Sequence, residues 1–208
     1  MKKKWVLCGI LSILFLIILL SVVFGRDLFI DKTIINILSY LRNDFFTAIN
    51  KIVTLLGDKK FILVLVVVLA GYLFYKKYRR TALVVCLNLF NIVILNKGIK
   101  YLVRRERPAF KLVEEDGYSF PSGHAMLTIG VYGLLIYLIH RSKLDSKIKK
   151  LLTILLTVII IFVGYTRMYL GVHYPSDVIA GYLITGIYLI FFITLLENKF
   201  YKKNWKMT

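Results

Sequence analysis

Ionisable residues at the edges of long apolar runs are costly to place and mark functional positions, and this chain has three clusters of them. In the first, Lys97, Lys100, Arg104 and Arg107 recur at i, i+3, i+7 and i+10, which lines four cations along one helical stripe. Lys97 and Arg104 are equally suited to anchoring among lipid headgroups, where basic residues gather. In the second, Ser119-Phe120-Pro121-Ser122-Gly123-His124 runs directly into an apolar segment, a helix-start signature. Ser122 is placed to cap that helix, and the free N–H groups of its first turn, closely approachable at Gly123, form a site for an anion. His124, in the same turn, is suited to give or take a proton near neutral pH. The third cluster spans Thr166 to Asp177 and contains Arg167, His173 and Asp177. An arginine fork matches phosphate oxygens. A carboxylate four residues after a histidine can orient its imidazole where the segment turns helically. Together these residues make a nucleophile, its orienter and an anion clamp, with a second histidine available as acid.

Taken in order, Lys100-x6-Arg107-Pro108, Pro121-Ser122-Gly123-His124 and Arg167-x5-His173-x3-Asp177 resemble the signature of the type 2 phosphatidic acid phosphatase superfamily. Thr166 stands where that signature has serine and keeps a hydroxyl. The resemblance implies that His173 attacks phosphorus to form a phosphohistidine, that Asp177 orients it, and that His124 protonates the leaving group. It further implies that Lys100, Arg107, Arg167 and the Ser122–Gly123 segment hold the phosphoryl oxygens. Phosphoryl transfer depends mainly on in-line placement and on cations at the equatorial oxygens. Three side-chain cations can supply what magnesium supplies elsewhere, so neither metal nor cofactor is expected. Two other uses of these residues are a phosphotransferase that passes the phosphoryl group to another lipid or headgroup, and a lipid-phosphate carrier. A carrier would need the cations but not His124, His173 and Asp177 together.

The elements that must position these clusters are membrane spans. Hydrophobic residues make up 59% of the chain and the mean hydropathy is +0.74, outside the range of ordinary soluble proteins. Apolar runs occupy 5–24, 61–75, 81–96, 125–139, 151–164 and 178–196. The shorter ones reach across a bilayer by recruiting their flanks, since lysine and arginine snorkel. Lys2, Lys3 and Lys4 before the first run resemble a signal peptide, but the run is too long and lacks a small-x-small cleavage site, so it reads as an uncleaved helix. Cys8 and Cys86 fall inside apolar runs with no pairing pattern and read as buried filler. The expected fold is all-α, one integral membrane domain over residues 1–208, a bundle of six transmembrane helices.

The net charge of +18 does not indicate nucleic acid, because the basic residues lie between spans rather than on one aromatic-interleaved face. They set topology instead. Lys76, Lys77, Arg79 and Arg80 fill one short connection and Arg141, Lys143, Lys147, Lys149 and Lys150 another, with Lys199, Lys202, Lys203 and Lys206 at the C-terminal end. The positive-inside rule then puts both termini in the cytoplasm of a bacterial-type cell. The opposite connections share space with nine of the eleven acids and hold all three prolines, at 108, 121 and 175, so the site-building backbone faces outside.

Between the first two spans, Ile34, Leu38, Leu41, Phe45, Ile49, Ile52 and Leu56 recur at helical spacing, with Arg42, Asn43, Asp44 and Lys51 off the stripe. One or two amphipathic interfacial helices ending at Gly57 are expected, serving as packing elements or as a lid over lipid access. The partners are membrane lipids and a lipid phosphate. Undecaprenyl diphosphate, phosphatidylglycerol phosphate and phosphatidic acid all fit, and an outward site leans towards the polyprenyl carrier. The acidic run Glu114, Glu115 and Asp116 reads as a solvated loop, with selection against highly charged headgroups as the alternative.

Overall fold

The computed structural model describes residues 2–25 and 28–200. These residues are helical or irregular, with no strand among them: α1 Lys2–Val23, α2 Phe29–Tyr40, α3 Asp44–Thr54, α4 Lys59–Tyr75, α5 Arg79–Val103, α6 Gly123–Arg141, α7 Ser146–Tyr169 and α8 Pro175–Phe200. A short 3₁₀ turn, Leu55–Gly57, joins α3 to α4. Lys202, Lys203 and Lys206, counted above for topology, lie outside the described residues.

Helix starts follow local chemistry. Asn43 accepts from the Phe46 N–H, Asp58 from those of Lys60 and Phe61, and Asp145 from that of Lys147, each satisfying donors that the first turn leaves free. Pro175 opens α8, where its missing N–H costs nothing. In α1, α5, α6, α7 and α8 the described chain has five helices long and apolar enough to cross a membrane. α4 is apolar from Phe61 on but has only 17 residues. The chain is a multi-pass integral membrane protein.

α6 is the central helix and packs against α5, α7 and α8, while α1 lies on α8 at the periphery. Lipid tails are as apolar as leucine, so close fit rather than water exclusion holds such helices together. Gly130 shows the fit: a Cβ there would run into Ile92 of α5, and Asn88 donates to the Gly130 carbonyl at 3.0 Å. Outward-facing residues such as Ile13, Val64, Val68, Leu151 and Ile161 are exposed, as a lipid-facing belt requires. Cys86 belongs to that exposed surface, so only Cys8 is buried filler.

The interfacial segment forms two helices; Leu38 of α2 is buried, but the α3 part of the apolar stripe points away from the protein. Phe45, Ile49 and Ile52 of α3 are exposed, while the buried residues of that helix are Asn50 and Thr54. α3 packs on α7 through its polar side, as where the Thr47 hydroxyl meets the Tyr169 hydroxyl at 3.3 Å. The four-cation stripe is also interrupted. α5 ends at Val103, with Arg104 in the left-handed conformation (φ 51°) and its N–H on the Lys100 carbonyl, so Arg107 arrives on a loop rather than on the helix. Pro108 favours this, because the residue before a proline is pushed out of the helical region.

Candidate active site

The three motif clusters converge at one end of the bundle around a cavity of about 510 Å³. Lys100 from the end of α5, Arg107 from the following loop, Gly123 and His124 from the first turn of α6, and His173 from the α7–α8 loop all line it. Its remaining wall is largely apolar, with Leu63 of α4, Leu89, Ile92 and Val93 of α5 and Leu127 of α6. Ser122 is fully buried behind this wall. Its Oγ accepts from the Ala125 N–H at 3.5 Å and its N–H donates to the Asp177 carbonyl at 3.0 Å, which ties the start of α6 to the start of α8.

His173 is buried at the cavity wall and its two ring nitrogens are differentiated by their partners. Arg107 Nη1 lies 3.3 Å from His173 Nε2. A guanidinium can only donate, so Nε2 presents its lone pair and the proton sits on Nδ1. Nδ1 faces Asp177 Oδ2 at 3.4 Å. Burial pushes the His173 pKa well below the ordinary histidine value, and Arg167, Arg107 and Lys100 add to the effect. The imidazole is therefore neutral at pH 7. Gly171, at φ 69°, makes the turn that delivers it; a Cβ there would strike the Phe110 carbonyl.

Asp177 is completely buried, and each of its oxygens has a donor. Oδ2 also accepts from the Tyr174 N–H at 2.9 Å, and Oδ1 accepts from Arg105 Nη1 at 2.7 Å. Arg105 Nη2 reaches Asp31 Oδ2 of α2 at 2.7 Å, and its guanidinium stacks over the Tyr174 ring at 4.0 Å. Asp31 accepts in turn from the N–H and hydroxyl of Ser176, at 2.8 and 2.6 Å. Burial alone would lower the Arg105 pKa, but Asp177 and Asp31 outweigh it and raise it, so the guanidinium stays charged. The result is a chain of contacts running Asp31, Arg105, Asp177, His173.

The remaining cations already have partners. Arg167 is only 2% exposed; its Nη2 donates to Glu115 Oε2 at 2.6 Å and its Nη1 to the Thr54 hydroxyl at 2.9 Å. Its Nε is buried with no acceptor. Arg107 donates to the carbonyls of Gly117, Val172 and Asp116 at 2.8–2.9 Å, which shapes the loop, and Glu115 Oε1 lies 3.9 Å from its Nη2. Lys100 donates to the Tyr118 carbonyl. Glu115 is thus an arginine partner at the cavity wall rather than a residue of a solvated loop.

Arg105, Asp31 and Thr54 were not singled out for this site from sequence, and Glu115 entered only as part of the acidic run, not as a partner of Arg167. Arg105 lies in a run of four charged residues, where nothing in the spacing separates it from Arg104. Asp31 stands beside Lys32 at the start of a helix, where an acid reads as ordinary first-turn chemistry, and its partner is 74 residues away. Among the described residues no group of three or more His, Cys, Asp or Glu side chains is arranged to hold a metal ion.

A family model for the PAP2 superfamily matches residues 61–201, which takes in all three motif clusters. The chain belongs to the PAP2 superfamily. Among similar members, phosphatidylglycerophosphatase B of Bacillus subtilis is 35% identical over 173 residues, covering 81% of this chain and 84% of that protein. An undecaprenyl-diphosphatase of Sulfolobus acidocaldarius is 30% identical over 140 residues, covering 63% of this chain and 62% of that protein. The crystal structure of a transmembrane PAP2-type phosphatidylglycerolphosphate phosphatase from Bacillus subtilis superposes with a TM-score of 0.84 at 32% identity, over 95% of this chain and 98% of that one. The PAP2 fold and the all-helical expectation therefore agree.

Proposed function

We propose that this PAP2 protein hydrolyses a lipid phosphate or diphosphate through a phosphohistidine on His173. The observation that carries the reading is the state of that imidazole. Its Nδ1–H is directed at a buried carboxylate, and its Nε2 lone pair faces Arg107 Nη1, a cation of the cavity wall that a phosphate oxygen can draw away. In the first step Nε2 attacks phosphorus, the bond to the leaving oxygen breaks, and His124 gives that oxygen a proton. In the second, water attacks the phosphohistidine, His124 takes the water's proton, and inorganic phosphate leaves with His173 restored. Asp177 holds the Nδ1 proton and offsets the positive charge that develops on the ring. Arg107, Arg167, Lys100 and the N–H groups at Gly123 neutralise the phosphoryl oxygens. The unpartnered Nε of Arg167 supports that role, since a buried donor without an acceptor is costly until an anion supplies one.

In this reading α4 is the sixth span, its 17 residues extended by the snorkelling of Lys59, Lys60, Lys76 and Lys77. Both termini are cytoplasmic and the motif end faces outside, as the basic inner connections require. The substrate is one of undecaprenyl diphosphate, phosphatidylglycerol phosphate or phosphatidic acid, reached from the membrane along the apolar wall. The test is release of inorganic phosphate from each of the three lipids by the purified protein in detergent, with chelator present. Release from at least one supports hydrolysis. A phosphoryl group found only on another lipid would make the protein a transferase.

A further inference from the structure

Two cavity cations have no part in the transfer steps above. Lys59, the first residue of α4, and Lys97 of α5 both line the cavity shared by Lys100, Arg107, His124 and His173. Neither has a hydrogen-bond or ion-pair partner among the described residues. The nearby acids are used elsewhere: Asp58 caps α4, Glu115 holds Arg167, and Asp116 sits on the loop that Arg107 organises.

Their position along the wall follows from helix geometry. Lys97 precedes Lys100 by three residues, so it lies roughly 4.5 Å further along α5 at 1.5 Å per residue. The shift is towards Val93, Ile92 and Leu89, the apolar part of the wall. Lys59 stands one turn before Leu63 on α4, which lines the same wall. A lipid with its terminal phosphate at His173 and its tail along these side chains brings its linking group into the part of the cavity that the two lysines line. In a simple phosphomonoester such as phosphatidic acid that linking group is uncharged. In a lipid diphosphate, or a lipid with a phosphodiester just inside its terminal phosphate, it is an anion.

We propose that Lys59 and Lys97 form a subsite for a second, non-reacting phosphate, so that the preferred substrate carries two phosphate groups in series. This rests on the reading of the cavity as a lipid-phosphate site. Interfacial lysines that only anchor headgroups would act alike on every substrate, whereas a subsite discriminates.

The experiment compares farnesyl diphosphate with farnesyl monophosphate as substrates for wild-type protein and for the double variant Lys59→Gln/Lys97→Gln, in detergent. The expected result is about a tenfold lower KM for the diphosphate in wild type. In the double variant that preference should fall to within about threefold, with the loss in KM rather than kcat. Equal fractional losses on both substrates, or no loss on either, would overturn the subsite. A second arm needs no turnover: methylenediphosphonate should raise the unfolding temperature of wild type more than methylphosphonate does, and the double variant should lose that difference. If the difference is present while neither farnesyl compound is hydrolysed, the subsite stands and the phosphatase reading fails. If phosphate is released from both compounds but the two phosphonates stabilise equally, the subsite falls and the phosphatase reading stands.

Discussion

The two charge networks behind the cavity wall are built on opposite terms. On the α8 side every charge has a fixed complement: Asp31 and Asp177 flank Arg105 at 2.7 Å each, and Asp177 faces His173. On the α7 side the clamp is closed on the protein's own groups, with Arg167 held by Glu115 and Thr54 and Arg107 held by loop carbonyls. On the first side the carboxylate that orients His173 is already in place, which is what electrostatic preorganisation means; only the Arg107 contact to Nε2 has to yield before attack. In the proposed mechanism the second exchanges an internal carboxylate for a phosphate. In the proposed mechanism the nucleophile is therefore prepared in advance, and substrate is admitted by competition with Glu115.

The comparison breaks most severely at Asp177. Asp177→Asn keeps the shape but removes the acceptor that fixes the Nδ1 proton, and turnover should fall by up to ~10⁴, the scale of a lost orienting carboxylate in a catalytic triad. KM should move little; a change mainly in KM would mean that Asp177 meets the substrate directly.

Arg105→Ala tests whether the ion-pair chain matters beyond its last member. Removing one partner of a buried pair leaves an uncompensated charge at a cost of about 3–5 kcal/mol, here on Asp177 and Asp31 together. A fall of roughly 10² in kcat is expected from the altered Asp177, alongside lower thermal stability. Arg105→Lys should recover part of the activity, because a single ammonium can replace one of the two contacts but not the bidentate bridge. A kcat that follows the folded fraction alone would reduce Arg105 to a structural tie.

On the clamp side the expected effect has the other sign. Glu115→Gln removes the carboxylate that competes for Arg167, so inhibition by vanadate or inorganic phosphate should tighten by roughly tenfold, equivalent to ~1.4 kcal/mol. Weaker inhibition would show that Glu115 positions the arginine for phosphate instead.

The smallest effect concerns protonation. Burial and the neighbouring cations hold the His173 pKa well below the usual range. Its imidazole should then still be neutral at about pH 6.5, where an ordinary histidine is half protonated. NMR of ring-labelled protein, with the signal assigned by its loss in His173→Ala, reads this directly. Titration near 6.5 would mean that Nε2 is solvated and not held by Arg107.

How far the sequence spoke depended on the range of each interaction. The helices and the His173–Asp177 pair follow from periodicity and from a four-residue spacing, both local. The place where α5 ends was misread because a stripe of basic residues continues past Val103 while the backbone does not; Pro108 was the local sign of that break. The apolar stripe of α3 was read correctly as a stripe, but periodicity does not say which medium it faces. Here the apolar side is exposed and α7 takes the polar one. Arg105 with Asp31, and Arg167 with Glu115, join residues 74 and 52 apart, and no spacing rule reaches across such loops.

The central claim is that His173 carries the phosphoryl group, and rapid quench with a labelled lipid phosphate tests it most directly. Wild-type protein should show an acid-labile phosphoenzyme within the first turnover, and His173→Ala should show none. His124→Ala should still form it from a substrate whose leaving group needs little protonation, such as p-nitrophenyl phosphate. A phosphoenzyme that persists in His173→Ala and disappears in His124→Ala would contradict the account and exchange the roles of the two histidines.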